Sequence, residues 1–409
     1  MKRTVILAVF LLASLALVVS GSGKALAQAQ APTVEPKKEE ATKEAPKGPK
    51  KSYAISTIDP RAKQLKDKKV DTSNVKIVWR ASDSWSGNIN HVVFAHFADS
   101  VRVASGGRME LKLFPTGAIV GPFEVFDAVA KGNLDAAHTH GGFWKGKNEA
   151  FVALASYPFG PDYRDFTIWY FMGGGKELYQ EIYGKFNLVA FPLGNGGQEL
   201  GLHSKKRATK MEDFKGMKVR TIGWYMDLLT RMGISVVPLP PGEVYMALER
   251  GVIDAAELAS PSMTYPMGFH EIAKYVIMPG LHQPSAQFEL IINKQAWEKL
   301  PEDLKAIFEF CVYETHLWSL SYYEYLNIEA LEGYKKAGVE FVKMDDATLN
   351  EFRMEAKKYT DELREKYPDV KKVMESQEKF LKDYAFWREM RMGVTAWPYE
   401  DYIKGKHYE

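Results

Sequence analysis

Two segments about 120 residues apart repeat one pattern, and this internal repeat constrains the fold more than any other feature of the chain. Residues 124–138 read EVFDAVAKGNLDAAH, and residues 243–257 read EVYMALERGVIDAAE. Each copy predicts a short helix that a glycine ends, followed by a strand with a polar residue at its end. A repeat of this long period indicates two lobes with related folds rather than a solenoid of short units.

The last residues of the two copies, His138 and Glu257, hold equivalent positions. In open α/β sheets, ligands bind beyond the carboxyl ends of the strands, so we expect both side chains to face one shared cleft. His138 also forms an H-x-H pair with His140. Because no third ligand lies nearby in the sequence, polar residues at a strand end are a better interpretation of this pair than a zinc site.

Strand-like and helical segments alternate from residue 75 onward, which predicts an α/β protein with parallel or mixed sheets covered by helices. We expect one lobe at residues 74–193, with return segments after residue 290, and a second lobe at residues 194–290. The stretch at residues 301–338 predicts a single helix, which at 1.5 Å per residue is long enough to bridge both lobes.

The N-terminus has the composition of a secretory signal peptide. Two basic residues precede an apolar stretch from Ile6 to Val19, which is shorter than the roughly 20 residues of a membrane-spanning helix. A small-residue site follows at Ala25-Leu-Ala27, so we expect export to the periplasm and removal of residues 1–27, with an uncleaved anchor as the alternative. Residues 28–73 are rich in Pro, Ala, Lys and Glu and predict a disordered tether.

The formal net charge of +2 on 409 residues argues against nucleic-acid binding. The single cysteine, Cys311, excludes an intrachain disulfide and a two-thiol metal site. The sequence contains none of the motifs of nucleophile-elbow hydrolases, zinc proteases or phosphate-loop enzymes. These observations favour a binding protein without a covalent cofactor over an enzyme.

Arg220 lies at the end of a predicted strand, close to Gly223 and Trp224. An arginine at such a position can hold a carboxylate through two parallel hydrogen bonds. The alternative is a surface arginine that pairs with a neighbouring glutamate, and the strand-end position favours the ligand. Trp85, Phe143 and Trp224 are predicted as aromatic walls of the site, with core packing as the alternative for each.

A glycine-rich connection at residues 194–201 predicts a hinge or turn in the middle of the chain and carries several polar side chains. Carboxylate and amide oxygens are hard ligands that suit Na⁺ or Ca²⁺ better than Zn²⁺. The candidate oxygen donors for a cation are Gln198, Glu199, Glu257 and Gln283. Asn195, Gln198 and Glu199 are also candidates for direct contact with a ligand.

Six segments between residue 75 and about residue 345 match one family pattern. They are LFPTGA from Leu113, FDAVAKG from Phe126, SYPFG from Ser156, MEDFKGMKVR from Met211, ALERGVIDAAE from Ala247 and INK from Ile292. Together they resemble the extracytoplasmic solute-binding proteins of tripartite ATP-independent periplasmic (TRAP) transporters. The resemblance implies a two-lobed periplasmic binding protein fold with a long lobe-spanning helix and a C-terminal helical extension.

The chain resembles in particular the subgroup that binds 2-oxo or 2-hydroxy monocarboxylates, such as pyruvate and lactate, with a cation that bridges ligand and protein. The resemblance implies that Arg220 holds the substrate carboxylate and that Glu257 is a cation ligand. It also implies that the backbone carbonyl of Leu258, where the family often has Trp, can add a further cation ligand.

The glycine-rich motif of the family has a Gln two residues after its second glycine, which here is Gly197. A gapless register puts Glu199 at that place and Gln198 one residue early, so either side chain could point into the site. If Glu199 points inward, two carboxylates would favour Ca²⁺ over Na⁺.

The resemblance implies a mechanism in which the lobes close around a small organic acid, which is then delivered to membrane permease subunits without chemical change. One alternative is a ligand-sensing subunit with the same fold that reports to a membrane receptor. Another is a periplasmic hydrolase or lyase that uses Glu199 and Glu257 as an acid–base pair.

Apolar residues recur at helical spacing from Val370 to Trp387, within a predicted C-terminal helical region at residues 345–409. This stripe is too apolar to remain in water. Some relatives in the 2-oxo-acid subgroup dimerise by exchanging C-terminal helices, so the resemblance implies a homodimer through this helix. The alternative is a helix that folds back over its own lobe.

Overall fold

The computed structural model of the chain describes Ser73 and residues 77–392. The predicted signal peptide, nearly all of the predicted tether and residues 393–409 lie outside the described residues. The strands are β1 Ile77–Asp83, β2 Met109–Leu113, β3 Ala136–Thr139, β4 Leu188–Asn195, β5 Leu202–Ser204, β6 Lys218–Arg220, β7 Ser235–Val237, β8 Ala255–Ala256, β9 Tyr275–Met278, β10 Gln287–Asn293 and β11 Glu340–Lys343. The helices are α1 Ile89–Ala104, α2 Val125–Ala130, α3 Ala150–Ala155, α4 Tyr163–Met172, α5 Gly175–Gly184, α6 Gly223–Arg231, α7 Pro241–Glu249, α8 Pro261–Thr264, α9 Phe269–Ile272, α10 Lys294–Glu298, α11 Glu302–Lys336, α12 Asp346–Lys366 and α13 Pro368–Met392.

The strands form two mixed sheets, and we call the part of the chain around each sheet a lobe. Lobe 1 contains a five-stranded sheet in the order β2-β1-β3-β10-β4, in which β10 is antiparallel to both of its neighbours. Lobe 2 contains a six-stranded sheet in the order β11-β9-β5-β8-β6-β7, in which β5 is antiparallel to both of its neighbours. The predicted α/β class with two lobes is confirmed.

The internal repeat occupies the same position in both sheets. In each copy a helix, α2 or α7, ends near a glycine in the left-handed region, Gly132 with φ +77° or Gly251 with φ +73°. The strand that follows, β3 or β8, has one parallel neighbour, β1 or β6, and one antiparallel neighbour, β10 or β5. The two lobes therefore share a common sheet arrangement around the repeated unit.

Helix α11 contacts both lobes along its 35 residues. Acidic residues in its first turn and Lys335 and Lys336 in its last turn complement the helix dipole. In lobe 1 the ring of Phe308 packs against that of Trp79, with 5.4 Å between their centroids. In lobe 2 the backbone N–H of Ser262 donates to Asn327 Oδ1 over 2.8 Å. The long bridging helix predicted at residues 301–338 therefore corresponds to α11.

The segments that follow lobe 2 return to both sheets. β10 joins the sheet of lobe 1 from Gln287 onward, whereas β11 pairs with β9 in lobe 2. Helix α12 then packs on lobe 2, where Phe352 contacts the ring of Phe214. None of the helices within the described residues combines the length and the apolar character that crossing a membrane requires.

Helix α13 lies on lobe 1 along its first half. Val370, Val373 and Met374 are buried in the core of that lobe, and Tyr157 Oη donates to Gln377 Oε1 over 2.9 Å. The second half is different, because Phe386, Trp387 and Met390 are 75%, 62% and 57% exposed. The predicted apolar stripe thus covers its own lobe as far as Phe380, and Arg388 still pairs with Asp165 of that lobe, whereas the large apolar side chains near the end of α13 face solvent.

Candidate ligand and cation site

A cleft lined by both lobes lies at the carboxyl ends of the parallel strands β1, β3, β6 and β8. Each strand is followed within two residues by a side chain that lines the cleft, and these are Trp85, His140, Thr221 and Glu257. This edge of a sheet is the usual place for ligands in open α/β folds. Two adjoining cavities fill the cleft, and both are lined by His140, Ile222, Glu257 and Gln283.

The two cavities differ in chemistry. The first, which we call the polar cavity, has Ser156, Thr221 and His282 in its lining. The second, which we call the apolar chamber, is lined mainly by hydrocarbon, with Arg220 at its polar end. Its apolar lining residues are Trp85, Phe143, Ile222, Pro241, Leu258, Ala259, Met263, Ala286 and Phe288.

Arg220 is the last residue of β6 and only 1% exposed. Its Nε and Nη2 donate to the carbonyl of Leu239 over 3.0 and 2.8 Å. Its Nη1 donates to the carbonyl of Glu257 over 2.7 Å and to Glu257 Oε1 over 3.2 Å. The guanidinium is therefore fixed at the cleft beside a carboxylate, where it can contribute a directed positive charge.

Two buried carboxylates and an imidazole form a compact cluster in the cleft. One potential ligand atom from each of Glu199, Glu257 and His282 lies within 4.8 Å of the other two. Glu199 Oε2 accepts from His282 Nε2 over 2.5 Å, and Glu199 Oε1 accepts from Gln283 Nε2 over 2.8 Å. Glu257 Oε1 accepts from Thr221 Oγ1 over 2.9 Å.

Burial and mutual charge control the ionisation of this cluster. Burial raises the pKa of Glu199, although the positive charge and hydrogen bond of His282 oppose the shift. Burial alone would lower the pKa of His282, but the nearby carboxylates of Glu199 and Glu257 raise it. The cluster therefore brings two carboxylates together with the imidazole of His282 and the guanidinium of Arg220, so charges of both signs meet in one buried place.

The donors of the cluster fit a hard cation. The carboxylates of Glu199 and Glu257 supply oxygen ligands of the kind that Ca²⁺ and Na⁺ prefer. Gln283 adds an amide oxygen, which accepts from Ser156 Oγ over 2.7 Å. An imidazole nitrogen suits zinc and other transition metals better than it suits Ca²⁺. His282 is thus better placed to orient Glu199 by hydrogen bonding than to bind such a cation directly.

Four residues named from the sequence lie apart from the cavity linings. One is Glu199, which contacts His282 and Gln283 of the polar cavity, and the other three lie farther from the cluster. Gln198 is exposed, and its Nε2 turns back to the carbonyl of Glu199 over 3.4 Å, so Glu199 is the side chain of this pair that points inward.

Asn195 is buried, and its side chain makes two hydrogen bonds. Its Oδ1 accepts from the backbone N–H of Gly197, and its Nδ2 donates to Gln287 Oε1, so it supports the turn of the glycine-rich connection.

The last of the four is His138, whose ring is held inside lobe 1. Its Nδ1 accepts from Trp85 Nε1 over 2.9 Å, and its Nε2 donates to the carbonyl of Leu193 over 2.7 Å. Burial lowers the pKa of His138 to about 4, so the imidazole is neutral near pH 7. Its role in this structure is to orient Trp85 and to satisfy a buried carbonyl, because both of its nitrogens are engaged.

The aromatic residues named from the sequence divide between the cavities. Trp85 and Phe143 lie in the apolar chamber with 5.8 Å between ring centroids, and Leu258 lines the same chamber. Trp224 lines the polar cavity, but its Nε1 donates to Glu149 Oε2 over 2.7 Å outside the cleft lining. Trp224 therefore lines the polar cavity and also holds α6 against lobe 1.

Sequence reasoning did not identify His282, His140 or Phe288 as site residues. His140 lies directly after β3, two residues beyond the end of the repeated unit at His138, and the H-x-H pair was its only signal. His282 and Phe288 lie on the segment that crosses from lobe 2 back to lobe 1. No local pattern marks that crossing, because it depends on where β10 enters the sheet of lobe 1.

Known proteins of one family are similar to this chain in sequence. The family model for bacterial extracellular solute-binding protein, family 7, matches residues 83–366. The monocarboxylate 2-oxoacid-binding periplasmic protein of Nostoc sp. is 31% identical over 320 residues, which cover 78% of this chain and 85% of the relative.

Two solved structures of TRAP transporter solute-binding proteins are also similar. The protein from Bordetella bronchiseptica, with calcium and picolinate in its active site, has a TM-score of 0.76 and 30% identity and covers 78% of this chain and 96% of its own. The protein from Pseudoalteromonas atlantica, with bound sodium and pyruvate, has a TM-score of 0.74 and 27% identity and covers 82% of this chain and 100% of its own. The chain therefore belongs to the bacterial extracellular solute-binding protein family 7, the periplasmic solute-binding proteins of TRAP transporters.

Proposed function

We propose that this protein captures a 2-oxo or 2-hydroxy monocarboxylate together with a bridging cation and presents it to the permease subunits of a TRAP transporter. One observation carries the proposal. A buried arginine, Arg220, lies beside the paired carboxylates Glu199 and Glu257 at the cleft between two lobes. Such a site has one fixed positive group for a carboxylate and one negative cluster for a cation.

Each polar residue has a separate role in the proposal. Arg220 holds the carboxylate of the ligand through its planar set of N–H donors. Glu199, Glu257 and Gln283 would hold the cation, which would supply positive charge to the ligand oxygens. His282 keeps the Glu199 carboxylate oriented through their 2.5 Å hydrogen bond. The relatives with calcium and picolinate, or with sodium and pyruvate, support the presence of a cation together with the acid.

Movement of the lobes is the second part of the proposal. The glycine-rich connection leads from β4 in lobe 1 to β5 in lobe 2, and Gly197 adopts φ +69° against Glu324 of α11. This left-handed backbone favours glycine, and a Cβ at Gly197 would lie 2.3 Å from Glu324 Oε1, so the Glu324 side chain would also have to move. We propose that the connection is a hinge about which the lobes close on the ligand.

A homodimer through α13 is the third part. The exposed Phe386, Trp387 and Met390 form an apolar end to a helix whose first half is already packed on its own lobe. A second copy of this helix would cover these side chains. The Bordetella bronchiseptica relative, described as a mixed-occupancy dimer, supports this assembly.

The proposal of export through a cleaved signal peptide at residues 1–27 rests on the sequence of the leader and on the periplasmic relatives. Mass spectrometry of protein recovered from the periplasm should give a mature N-terminus at Gln28. An intact leader in the recovered protein would instead support the uncleaved anchor.

Release of the natural ligand tests the proposed function. Protein purified without added ligand is denatured, and the small molecules and metals that it frees are identified by mass spectrometry and elemental analysis. We expect a 2-oxo or 2-hydroxy monocarboxylate and either calcium or sodium. Incubation of the refolded protein with the same acid should leave the acid unchanged. A converted product would favour the hydrolase or lyase alternative.

A further inference from the structure

Helix α6 belongs to lobe 2, but one of its faces packs on lobe 1. Leu228 and Leu229 are buried in the core of lobe 2. Trp224, near the start of the helix, is instead buried in the core of lobe 1, with 5.4 Å between its ring centroid and that of Tyr157. Asp227 lies one turn farther along, on the same side of the helix as Trp224. This face of α6 is therefore a contact between the two lobes.

Two polar contacts join this face to the segment of lobe 1 that follows β3. Lys145 Nζ forms an ion pair with Asp227, and Trp224 Nε1 donates to Glu149 Oε2 over 2.7 Å. The side chains of Lys145 and Asp227 are only 20% and 27% exposed, so water screens their attraction less than that of a fully exposed pair. Tyr359 Oη of α12 donates to Asp227 Oδ2 over 2.5 Å, which orients this carboxylate from the side of lobe 2.

The charged groups of these contacts are separate from the groups that would hold a ligand. Lys145, Glu149 and Asp227 lie outside the linings of the two cavities. A movement that separates the lobes has to break both contacts and bring the indole of Trp224, which is 1% exposed, out of the core of lobe 1 into water. The contacts therefore stabilise the closed form relative to an open one.

We propose that the Lys145–Asp227 pair and the Glu149–Trp224 hydrogen bond form an interlobe latch that sets how long a ligand stays bound. This inference rests on the proposed hinge movement, because contacts between lobes that never separate would not control release. A ligand enters while the lobes are apart and leaves only after the latch has broken. The latch should therefore change the dissociation rate much more than the association rate.

Stopped-flow fluorescence with pyruvate, in a buffer that contains Na⁺ and Ca²⁺, measures the two rates separately. The double variant Lys145→Met, Glu149→Ala breaks both contacts from lobe 1 and leaves Trp224 in place. We expect it to release pyruvate about 5- to 50-fold faster than the wild type, with an association rate within about twofold. Lys147→Met is the matched control and should keep both wild-type rates, because it breaks a 2.7 Å ion pair with Asp127 that lies within lobe 1.

The outcomes separate the latch from the proposed function. A folded Lys145→Met, Glu149→Ala protein that releases pyruvate at the wild-type rate would overturn the latch and leave the proposed function standing. A wild-type protein that does not bind pyruvate would contradict the proposed function itself.

A milder variant decides the question if the double variant does not fold. Asp227→Asn removes one charge of the pair and keeps the size of the side chain, so it should speed release about 2- to 5-fold. Adding Lys145→Met to Asp227→Asn should have little further effect, because both residues act through one contact. Release at the wild-type rate from Asp227→Asn, or full additivity of the two changes, would overturn the latch.

Discussion

Arg220 has acceptors on two sides, the carbonyl of Leu239 and the carbonyl and carboxylate of Glu257. This arrangement orients the guanidinium before a ligand binds and keeps its charge beside the cleft. The preorganisation matters because fixing a long, flexible side chain only when the ligand arrives would reduce the affinity.

Replacing Arg220 by alanine should weaken ligand binding by about 2–5 kcal/mol, because a buried carboxylate would lose its charged partner. Arg220→Lys should bind with intermediate affinity, since lysine retains the charge but lacks the planar pair of donors. Titration calorimetry measures both, and Arg164→Ala, at an exposed position, is the control. Wild-type affinity in a folded Arg220→Ala protein would remove Arg220 from the site.

Removal of the cation should weaken binding, because Glu199 and Glu257 would then repel the negative ligand. Treatment with EDTA and dialysis into buffer without Na⁺ or Ca²⁺ should lower the affinity, and added Ca²⁺ should restore it. Glu199→Gln should reduce this response to Ca²⁺, whereas Gln198→Ala should keep it, because Gln198 is exposed. Affinity that does not depend on the cation would contradict the bridging arrangement.

The residues of the site differ in how far the sequence predicts them. Arg220 and Glu257 follow strands that local patterns identify, so their positions at one sheet edge follow from the fold class. The sequence left Gln198 and Glu199 both open as the inward side chain, and in the structure Glu199 is buried and Gln198 is exposed. His282 was not predicted, because its contact with Glu199 joins two chain crossings that are 83 residues apart.

Among the elements, the long helix and the repeated helix–strand units are the most predictable, since each is encoded by a local pattern. The partners of β10 and β11 are not predictable in this way. Both strands follow lobe 2 in sequence, but β10 inserts between β3 and β4 of lobe 1 and β11 extends the sheet of lobe 2. These pairings depend on tertiary packing over long separations rather than on the residues of either strand.

The end of α13 gives a prediction about assembly. The mature protein, roughly 43 kDa after loss of its signal peptide, should have about twice that mass in light scattering. The double variant Phe386→Ser, Trp387→Ser should be monomeric, because it removes the two largest of the three exposed apolar side chains without touching the buried first half of α13. Lys382→Ser, at an exposed position of the same helix, is the control. A monomeric wild-type protein would contradict the dimer.

For the whole molecule, a buried acid gives the stability an unusual dependence on pH. Glu289 of β10 is fully buried in lobe 1, where Tyr183 Oη donates to its carboxyl group. Burial raises the pKa of Glu289 to about 8, although the tyrosine hydrogen bonds oppose the shift. Between about pH 4.5 and pH 8 the folded protein therefore keeps a proton that the unfolded chain has released.

The free energy of unfolding should accordingly fall as pH rises through this range, by up to about 1.4 kcal/mol per pH unit from Glu289. The stability that Glu289 contributes is fully present below the pKa of this residue in the unfolded chain. It is lost as the pH rises through the pKa of Glu289 in the folded protein. Urea unfolding of the wild type and of Glu289→Gln at pH 6.5, 7.5 and 8.5 measures it. In Glu289→Gln the free energy of unfolding should fall less steeply with pH than in the wild type. Equal dependence on pH in the two proteins would show that Glu289 is ionised in the folded protein.

The charged groups of the cleft are distributed unequally between the lobes. Arg220 and Glu257 belong to lobe 2, and Glu199 and His282 lie on connections that cross between the lobes. Within the described residues, the cavity linings contributed by lobe 1 carry no charge near pH 7, because burial lowers the pKa of His140 to about 3. An arriving acid should therefore form its first complex on lobe 2, at a rate that falls as ionic strength rises. Lobe 1 would then act as a neutral cover that slows escape, so changes in its lining should alter the dissociation rate more than the association rate.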